Sequence, residues 1–162
     1  MNDPAYKRVW IRIKGSKPRR FKRGWQRVAY PTATKYSPNF TRQELDCRCG
    51  CRTPHAIVVE LGKLARDLEQ MREALGPIKI LSGYRCVKRN TEVNGAVNSQ
   101  HLYGKAADLL VPPGQQVQYV AAAYKVPAFR EGGVGIYPNG GVHVDRRGWK
   151  ARWDSWIGSR SK

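Results

Sequence analysis

The chain has 162 residues, of which 41% are hydrophobic and 26% charged, and its formal net charge is +18. These fractions are close to those of ordinary globular proteins, so they exclude a wholly disordered chain and predict one compact domain. No stretch approaches the roughly 18 consecutive apolar residues of a spanning helix, and the N-terminal sequence lacks the apolar run of a signal peptide. The charge predicts an anionic partner: nucleic acid, anionic membrane or anionic cell wall.

The positive charge is concentrated near the N-terminus. Residues 1–40 contain eleven Lys or Arg and one acid, a net charge of +10, which leaves +8 for residues 41–162. We therefore interpret residues 1–37 as a basic N-terminal arm and residues 38–162 as the compact domain.

The arm mixes basic residues with aromatic residues. Phe21 and Trp25 lie among Lys and Arg, so residues 7–27 are predicted to contact a polyanion, either nucleic acid or an anionic envelope polymer. A solubilising tail is the alternative interpretation. Residues 9–14 alternate apolar and basic side chains, which predicts one short strand.

Two helices are predicted in the compact part. Thr53 is predicted as the N-cap of the first, with Pro54 in its first turn, and Gly76-Pro77 as its end. Between these two ends, apolar residues recur at helical spacing: Ile57, Val58, Leu61, Leu64, Ala65, Leu68, Met71 and Leu75. Residues 115–124 predict a second helix.

Four short strands are predicted from apolar segments bounded by turn residues. They cover residues 78–81, 106–111, 133–137 and 142–147, and the last two pair around a Pro-Asn-Gly-Gly turn. Helices first and paired strands later indicate an α+β domain, with a small antiparallel sheet and flanking helices.

Two of the three histidines lie in segments that suit metal binding. His101 precedes a predicted buried strand that contains Asp108, and His143 lies on a neighbouring predicted strand. Two imidazoles and one carboxylate suit a catalytic zinc ion with an open fourth position. Hydrogen-bonded structural histidines are the alternative. The absence of HExxH excludes a site of the zincin type.

Three separated motifs extend this interpretation: SGYRC at 82–86, SQHLYGKAAD at 99–108 and GGVGIYPNGGVHVDRRG at 132–148. Over about residues 38–153 the chain resembles the zinc D-alanyl-D-alanine peptidase family, which includes vancomycin-resistance dipeptidases, bacterial carboxypeptidases and phage endolysins, and whose fold the hedgehog signalling domain shares. The pattern S-x-H-x-x-G-x-A-x-D and a later H-x-D are matched at Ser99, His101, Gly104, Ala106, Asp108, His143 and Asp145.

The resemblance implies a hedgehog-like α+β fold and a Zn²⁺ ion bound by His101, Asp108 and His143. It also implies hydrolysis of a peptidoglycan stem peptide at a bond involving a D-amino acid, by a carboxypeptidase or an endopeptidase. Arg85 would stabilise the oxyanion or clamp substrate. Ser99 would hold polar groups of the substrate, with a local turn cap as the alternative.

We expect a phage endolysin or virion-associated lysin, made in the host cytoplasm or carried in the virion and acting at the bacterial cell wall. The lack of a recognisable signal peptide underlies this expectation. The alternatives are a non-catalytic virion or nucleic-acid-associated protein on a peptidase-like zinc scaffold, and a zinc-binding interaction module.

One departure from the family pattern concerns the general base. Family members generally carry an acid or a second histidine shortly before the last zinc histidine, but residues 137–142 are Tyr, Pro, Asn, Gly, Gly and Val. Asp145 is the nearest candidate base, and orienting an imidazole is its alternative role. Glu131 is a further candidate.

The four cysteines form C-x-C-x-C at residues 47–51 and the end of SGYRC at Cys86. The resemblance often includes cysteines at both places, which implies that the two segments are close. A disulfide, a second structural metal site including His55, and free thiols all stay open.

Near the C-terminus, Trp149, Trp153 and Trp156 have helical spacing between basic residues. We expect them to pack against the domain. A basic amphipathic segment that touches membrane or wall is the alternative.

Overall fold

The structure is a computed structural model that describes residues 34–154. Most of the predicted arm, with the strand at 9–14 and the polyanion contact at 7–27, lies outside the described residues, as does Trp156. None of the described helices is long and apolar enough to cross a membrane.

The described chain combines helices with one mostly antiparallel sheet, which confirms the α+β class. The helices are α1 (Arg42–Leu45), α2 (His55–Leu75), α3 (Val87–Glu92), α4 (Gln116–Lys125) and α5 (Pro127–Arg130), with one 3₁₀ helix at Gln100–Tyr103. The strands are β1 (Lys79–Ser82), β2 (Ala106–Leu110), β3 (Gly133–Ile136), β4 (Val142–Asp145) and β5 (Ala151–Asp154).

The long helix α2 forms where the apolar spacing predicts it. Its buried positions recur at helical intervals, and Gly76 ends it with φ of 75°, a left-handed value that suits glycine. The predicted N-cap is wrong, because Pro54 takes that position with an extended ψ of 148°. The buried Thr53 hydroxyl has no hydrogen-bond partner within the described residues.

The five strands form one sheet in the order β1-β2-β4-β3-β5. The first three pairings are antiparallel, as predicted, but β5 pairs with β3 in parallel. Trp153 therefore lies on a strand and not on a helix. After β4 the chain leads to the outer edge of β3, where β5 pairs in parallel. A local sequence pattern does not reveal this pairing of β3 with β5.

Strand alternation divides the sheet into two faces. On β2 and β4, Ala107, Leu109, Val142 and Val144 belong to the hydrophobic core together with residues of α2, α4 and α5. The intervening positions carry Asp108, His143 and Asp145, which therefore lie on the opposite face. Because β2 and β4 are neighbours, Asp108 lies directly across from His143.

Candidate metal centre

The three predicted metal ligands converge at one point. His101 comes from the 3₁₀ helix just before β2, Asp108 from β2 and His143 from β4, and all three are buried. One ligand atom from each lies within 4.8 Å of the others. The antiparallel register and the short loop before β2 therefore assemble two imidazoles and a carboxylate.

Hydrogen bonds outside the cluster determine which nitrogen each imidazole turns inward. His101 Nδ1 lies 2.6 Å from the Gly83 carbonyl oxygen. Nδ1 therefore carries the ring proton and donates a hydrogen bond to this oxygen, and Nε2 keeps a free lone pair. His143 Nε2 lies 3.0 Å from Asp145 Oδ2, which leaves Nδ1 as the inward lone pair. The two inward nitrogens are 3.3 Å apart.

Asp108 completes this arrangement with one oxygen. Its Oδ1 lies 3.2 Å from His101 Nε2 and 2.9 Å from His143 Nδ1. Two nitrogen lone pairs and a carboxylate oxygen that face one point repel one another unless a cation lies between them. Nitrogen and oxygen ligands in this number suit zinc, with the fourth position open.

The pKa values reflect burial and these contacts. Burial raises the pKa of Asp108, but its close contacts with His101 and His143 outweigh burial and hold that pKa well below its usual range, so the carboxylate is ionised. Burial lowers the pKa of His101, which favours the neutral imidazole that binds metals. For His143, the nearby Asp108 and Asp145 carboxylates outweigh burial and raise the pKa, which shows that the surroundings of Nδ1 favour a cation there, a proton or a metal ion.

Arg85 lies in the centre, as the sequence predicts, but its contacts indicate a different role. Its Nη2 forms an ion pair with Asp108 Oδ2, and its Nε donates to Ser82 Oγ at 2.9 Å. The guanidinium therefore holds the oxygen of Asp108 that faces away from the histidines. This contact orients the carboxylate of a candidate metal ligand, while the predicted contact of Arg85 with substrate or an oxyanion stays a prediction.

Asp145 is fully buried and its two oxygens are engaged. Oδ1 accepts from the backbone N–H of Gly133 and of Arg147, both at 3.0 Å, and Oδ2 accepts from Arg147 Nη2 at 2.6 Å and from His143. It lies across the imidazole ring from Nδ1, the nitrogen that faces the other ligands. A general base for a metal-bound water does not fit this position, whereas an imidazole-orienting carboxylate does.

The other two candidates are not part of the cluster. Ser99 is the N-cap of the 3₁₀ helix, two residues before His101, and its side chain makes no capping hydrogen bond. Glu131 is half-exposed and pairs with Arg130 at 3.3 Å and Lys150 at 3.4 Å. The structure therefore gives Glu131 surface ion pairs in place of a catalytic contact.

Tyr137 is a residue of the centre that was not predicted from the sequence, where it was weighed only as a general base and excluded. Its hydroxyl donates to Asp108 Oδ1 at 2.9 Å and lies 3.3 Å from His143 Nδ1. Burial raises the pKa of this hydroxyl. The sequence feature that could have indicated this role is the position of Tyr137 at the end of β3, next to the strand that carries His143.

Trp153 and Arg147 form the outer support of His143. The Trp153 ring centroid is 5.0 Å from that of His143, and the Arg147 guanidinium carbon lies 5.3 Å from the Trp153 centroid. Gly135 leaves the space for this ring, since a Cβ there would lie 2.1 Å from Trp153 Cε2. The expectation that the C-terminal aromatics pack on the domain thus holds for Trp153, while Trp149 is exposed.

Comparison with known proteins agrees with this geometry. The family model described as Peptidase M15 matches residues 38–145, about two thirds of the chain. The chain belongs to the peptidase M15 family of zinc peptidases. Its mixed α+β architecture is consistent with an M15-like fold. The match contains all three ligands of the candidate metal centre, so a zinc ion fits both the family and the donor atoms.

A curated relative of this chain is the zinc D-Ala-D-Ala carboxypeptidase of Streptomyces albus G. The two are 52% identical over 44 residues, which is 26% of this chain and 17% of the relative. The match thus spans far less than two thirds of the relative.

The cysteines of this M15 peptidase also come together, as the resemblance implies. The four Sγ atoms of Cys47, Cys49, Cys51 and Cys86, here called the cysteine cluster, lie within 4.8 Å of one another, and all four are free thiols. His55, which the sequence analysis considered as an additional ligand, does not belong to this cluster.

Proposed function

We propose that this M15 peptidase hydrolyses a bond next to a D-amino acid in the stem peptide of peptidoglycan, with zinc held by His101, Asp108 and His143. The observation that carries the proposal is the convergence of two imidazole lone pairs and one carboxylate oxygen on one point. The name of the curated relative supports a D-Ala-D-Ala substrate.

A zinc ion at this position supplies a Lewis acid for the scissile carbonyl and a nucleophilic water at neutral pH. The protein's own residues keep its ligands in place. The Gly83 carbonyl and Asp145 fix the two imidazole tautomers, and Arg85 holds Asp108 from its second oxygen. These contacts maintain the ligand geometry without reorganisation during the reaction.

Tyr137 is placed to donate a hydrogen bond at the reacting centre. A tyrosine hydroxyl is protonated at neutral pH and remains a donor there. It lies beside both Asp108 and His143, so a carbonyl oxygen bound next to these ligands comes within its reach. We assign Tyr137 to stabilising the negative charge that develops on that oxygen. Ser99 keeps its predicted role in holding polar groups of the substrate.

Digestion of purified peptidoglycan tests the proposal. The zinc-loaded chain should release products that mass analysis identifies, and His143→Ala should release none. His55→Ala is the matched control, because His55 is exposed and lies outside both cysteine cluster and metal centre. Released D-alanine would indicate a carboxypeptidase, and a new amino terminus inside the stem peptide would indicate an endopeptidase.

The same assay addresses the non-catalytic alternative, which the missing acid at residues 137–142 favours. No product from zinc-loaded, folded wild-type chain would contradict the enzymatic proposal and support a zinc-binding scaffold. The phage or virion setting stays a prediction from the resemblance.

A further inference from the structure

The cysteine cluster brings together two segments of the described chain. Cys47, Cys49 and Cys51 lie in the connection between α1 and α2, and Cys86 lies just before α3. The Sγ atoms of Cys47 and Cys49 are 3.2 Å apart, and those of Cys49 and Cys86 are 3.6 Å apart.

These separations match a tetrahedral tetrathiolate. Four sulfurs about 2.3 Å from a central zinc ion lie about 3.8 Å from one another. All four sulfur atoms of the cluster lie within 4.8 Å of one another, and the separations of 3.2 and 3.6 Å are slightly shorter than the tetrahedral distance. We propose that the cysteine cluster binds a second zinc ion through four thiolates, as a structural site distinct from the His101–Asp108–His143 centre.

The backbone around the cluster is arranged for negatively charged sulfur. The Cys86 N–H donates to Cys47 Sγ at 3.4 Å, and the Arg89 N–H donates to Cys86 Sγ at 3.4 Å. Cys86 is thus the N-cap of α3 through its sulfur. Amide donors directed at sulfur stabilise a thiolate more than a thiol, because hydrogen bonds to ionised acceptors are stronger.

The local charge is also suitable. Four thiolates around one Zn²⁺ carry a net charge of −2, and binding releases four protons to solvent. Arg48 lies between Cys47 and Cys49 in the sequence, Arg52 follows Cys51, and Arg85 precedes Cys86. Arg48 and Arg52 therefore place positive charge in the first cysteine-bearing segment, whereas the Arg85 guanidinium is paired with Asp108.

A turn brings the first three cysteines together. The Gly50 N–H donates to the Cys47 carbonyl at 3.2 Å, and Gly50 has φ of 76°, a conformation that glycine adopts without strain. Cys47 is buried, whereas Cys49 is exposed and gives a metal ion access from solvent.

The location indicates what the second zinc does. Residues 83–86 pack closely on the end of α1: the Tyr84 N–H donates to the Leu45 carbonyl at 2.8 Å, and a Cβ at Gly83 would lie 2.4 Å from that oxygen. The same segment carries Arg85 and the carbonyl that fixes the His101 tautomer. A tetrathiolate at Cys86 would clamp this segment, so it would stabilise the support of the other metal centre.

Metal content and cobalt spectra test the site without an activity assay. The full chain, purified with zinc and dialysed against zinc-free buffer, should hold two zinc ions, and Cys49→Ser and His143→Ala should each hold one. After exchange for Co²⁺, the near-ultraviolet charge-transfer absorption of thiolate-bound cobalt should appear in wild type and in His143→Ala. It should be lost in Cys49→Ser.

His143→Ala is the decisive sample, since it keeps all four cysteines and needs no change in their segments. One zinc ion and the thiolate–cobalt absorption in this variant would support the proposal even where Cys49→Ser fails to fold. A metal-free His143→Ala without that absorption would overturn it. A non-reducing mass lower by two hydrogens for each disulfide would overturn it as well. Neither outcome depends on peptidase activity.

Discussion

At the scale of single residues, the hydrogen bond from His143 Nε2 to Asp145 determines which nitrogen faces Asp108. Asp145 is in turn held by the Arg147 guanidinium and by the Gly133 N–H. The carboxylate is therefore fixed before it orients the imidazole. Such contacts to ligating histidines also raise ligand basicity and therefore metal affinity.

Asp145→Asn should lower zinc affinity at the His101–Asp108–His143 centre by about 10- to 100-fold, because the imidazole loses its charged hydrogen-bond partner. Competition with a chromophoric chelator measures the affinity. Glu92→Gln is the control, since Glu92 forms an exposed ion pair with Arg89 and does not belong to the metal centre, and this change should leave zinc affinity unchanged. Full zinc affinity together with lost turnover in Asp145→Asn would instead identify Asp145 as the base.

Tyr137→Phe should lower kcat/KM on a D-Ala-D-Ala peptide by about 10²-fold, because one hydrogen-bond donor to the developing oxyanion is removed. Zinc content should stay that of wild type, since the three ligands remain. Steady-state kinetics and metal analysis of the same sample separate these effects. Unchanged kcat/KM would rule out the proposed role of Tyr137.

The ligands could be predicted from the sequence, whereas their supporting contacts could not. His101, Asp108 and His143 lie in motifs with defined spacing. The contact of Tyr137 with Asp108 joins residues 29 positions apart, and it depends on how β3 ends beside β4. The position of Asp145 across the imidazole depends on a side-chain rotation that spacing does not specify.

At the scale of elements, β3 carries glycine at two alternate positions because neighbouring side chains occupy the space on that face of the sheet. A Cβ at Gly133 would lie 2.2 Å from Asp145 Oδ2, and one at Gly135 would lie 2.1 Å from the Trp153 ring. These glycines let β5 lie in parallel beside β3 and bring Trp153 against His143. The GVG sequence of β3 is thus part of the metal centre's support.

Gly135→Ala should destabilise the fold by about 1–3 kcal/mol, because the added methyl group overpacks the site under the Trp153 ring. Gly62→Ala is the matched control: in the middle of α2 the new methyl meets only the flexible end of Arg66 at 3.9 Å. That control should be more stable than wild type by about 0.5–1 kcal/mol. Denaturant unfolding checks both, and equal stability of Gly135→Ala and wild type would contradict the packing argument.

Glu69 connects α2 to the segment before α1. Its carboxylate accepts from Ser37 Oγ at 2.6 Å, and from the Asn39 N–H and the Asn39 side-chain amide, both at 2.9 Å. Burial raises the pKa of Glu69, but these hydrogen bonds outweigh it and lower the pKa below its ordinary value of 4.5. The stabilisation is therefore present above pH 4.5 and is lost as the pH falls through the lower folded-state pKa.

Glu69→Gln should accordingly cost about 1 kcal/mol of stability at pH 7, where the carboxylate is charged in both states. The difference from wild type should shrink as both proteins are unfolded at pH values progressively below 4.5. Urea unfolding of the two proteins across this range measures the difference. A difference that is independent of pH would show that the charge of Glu69 makes no contribution.

The two longest helices and four of the strands were predicted, whereas the short helices α1, α3 and α5, the 3₁₀ helix and strand β5 were not. The apolar spacing of α2 and the alternation of β2 and β4 follow directly from burial on one face. Strand β5 has the pattern Ala-Arg-Trp-Asp, without clear alternation, and it forms because β3 offers a parallel edge. Its pairing partner lies 18 residues away at Gly133 and Ala151, beyond any hairpin signal.

At the scale of the whole molecule, the charge of +18 divides into +10 within residues 1–40 and +8 in the rest. The metal centre uses only a few charged groups, and its ligands are buried. The predicted polyanion contact of residues 7–27 and the proposed hydrolysis at the centre therefore involve separate parts of the sequence. We expect them to respond differently to salt.

Binding of the full chain to cell walls should weaken by roughly tenfold or more between about 50 and 200 mM salt, because several basic residues displace counterions from anionic polymers. Hydrolysis of a short stem peptide should change far less, since screening acts weakly on buried groups. Co-sedimentation with intact walls and with walls stripped of phosphate polymers measures the first, and peptide turnover the second. Wall binding that is insensitive to salt and to the loss of phosphate would mean that the charge near the N-terminus does not direct the protein to this polyanion. A salt-sensitive peptide assay would instead place basic residues in contact with the stem peptide itself.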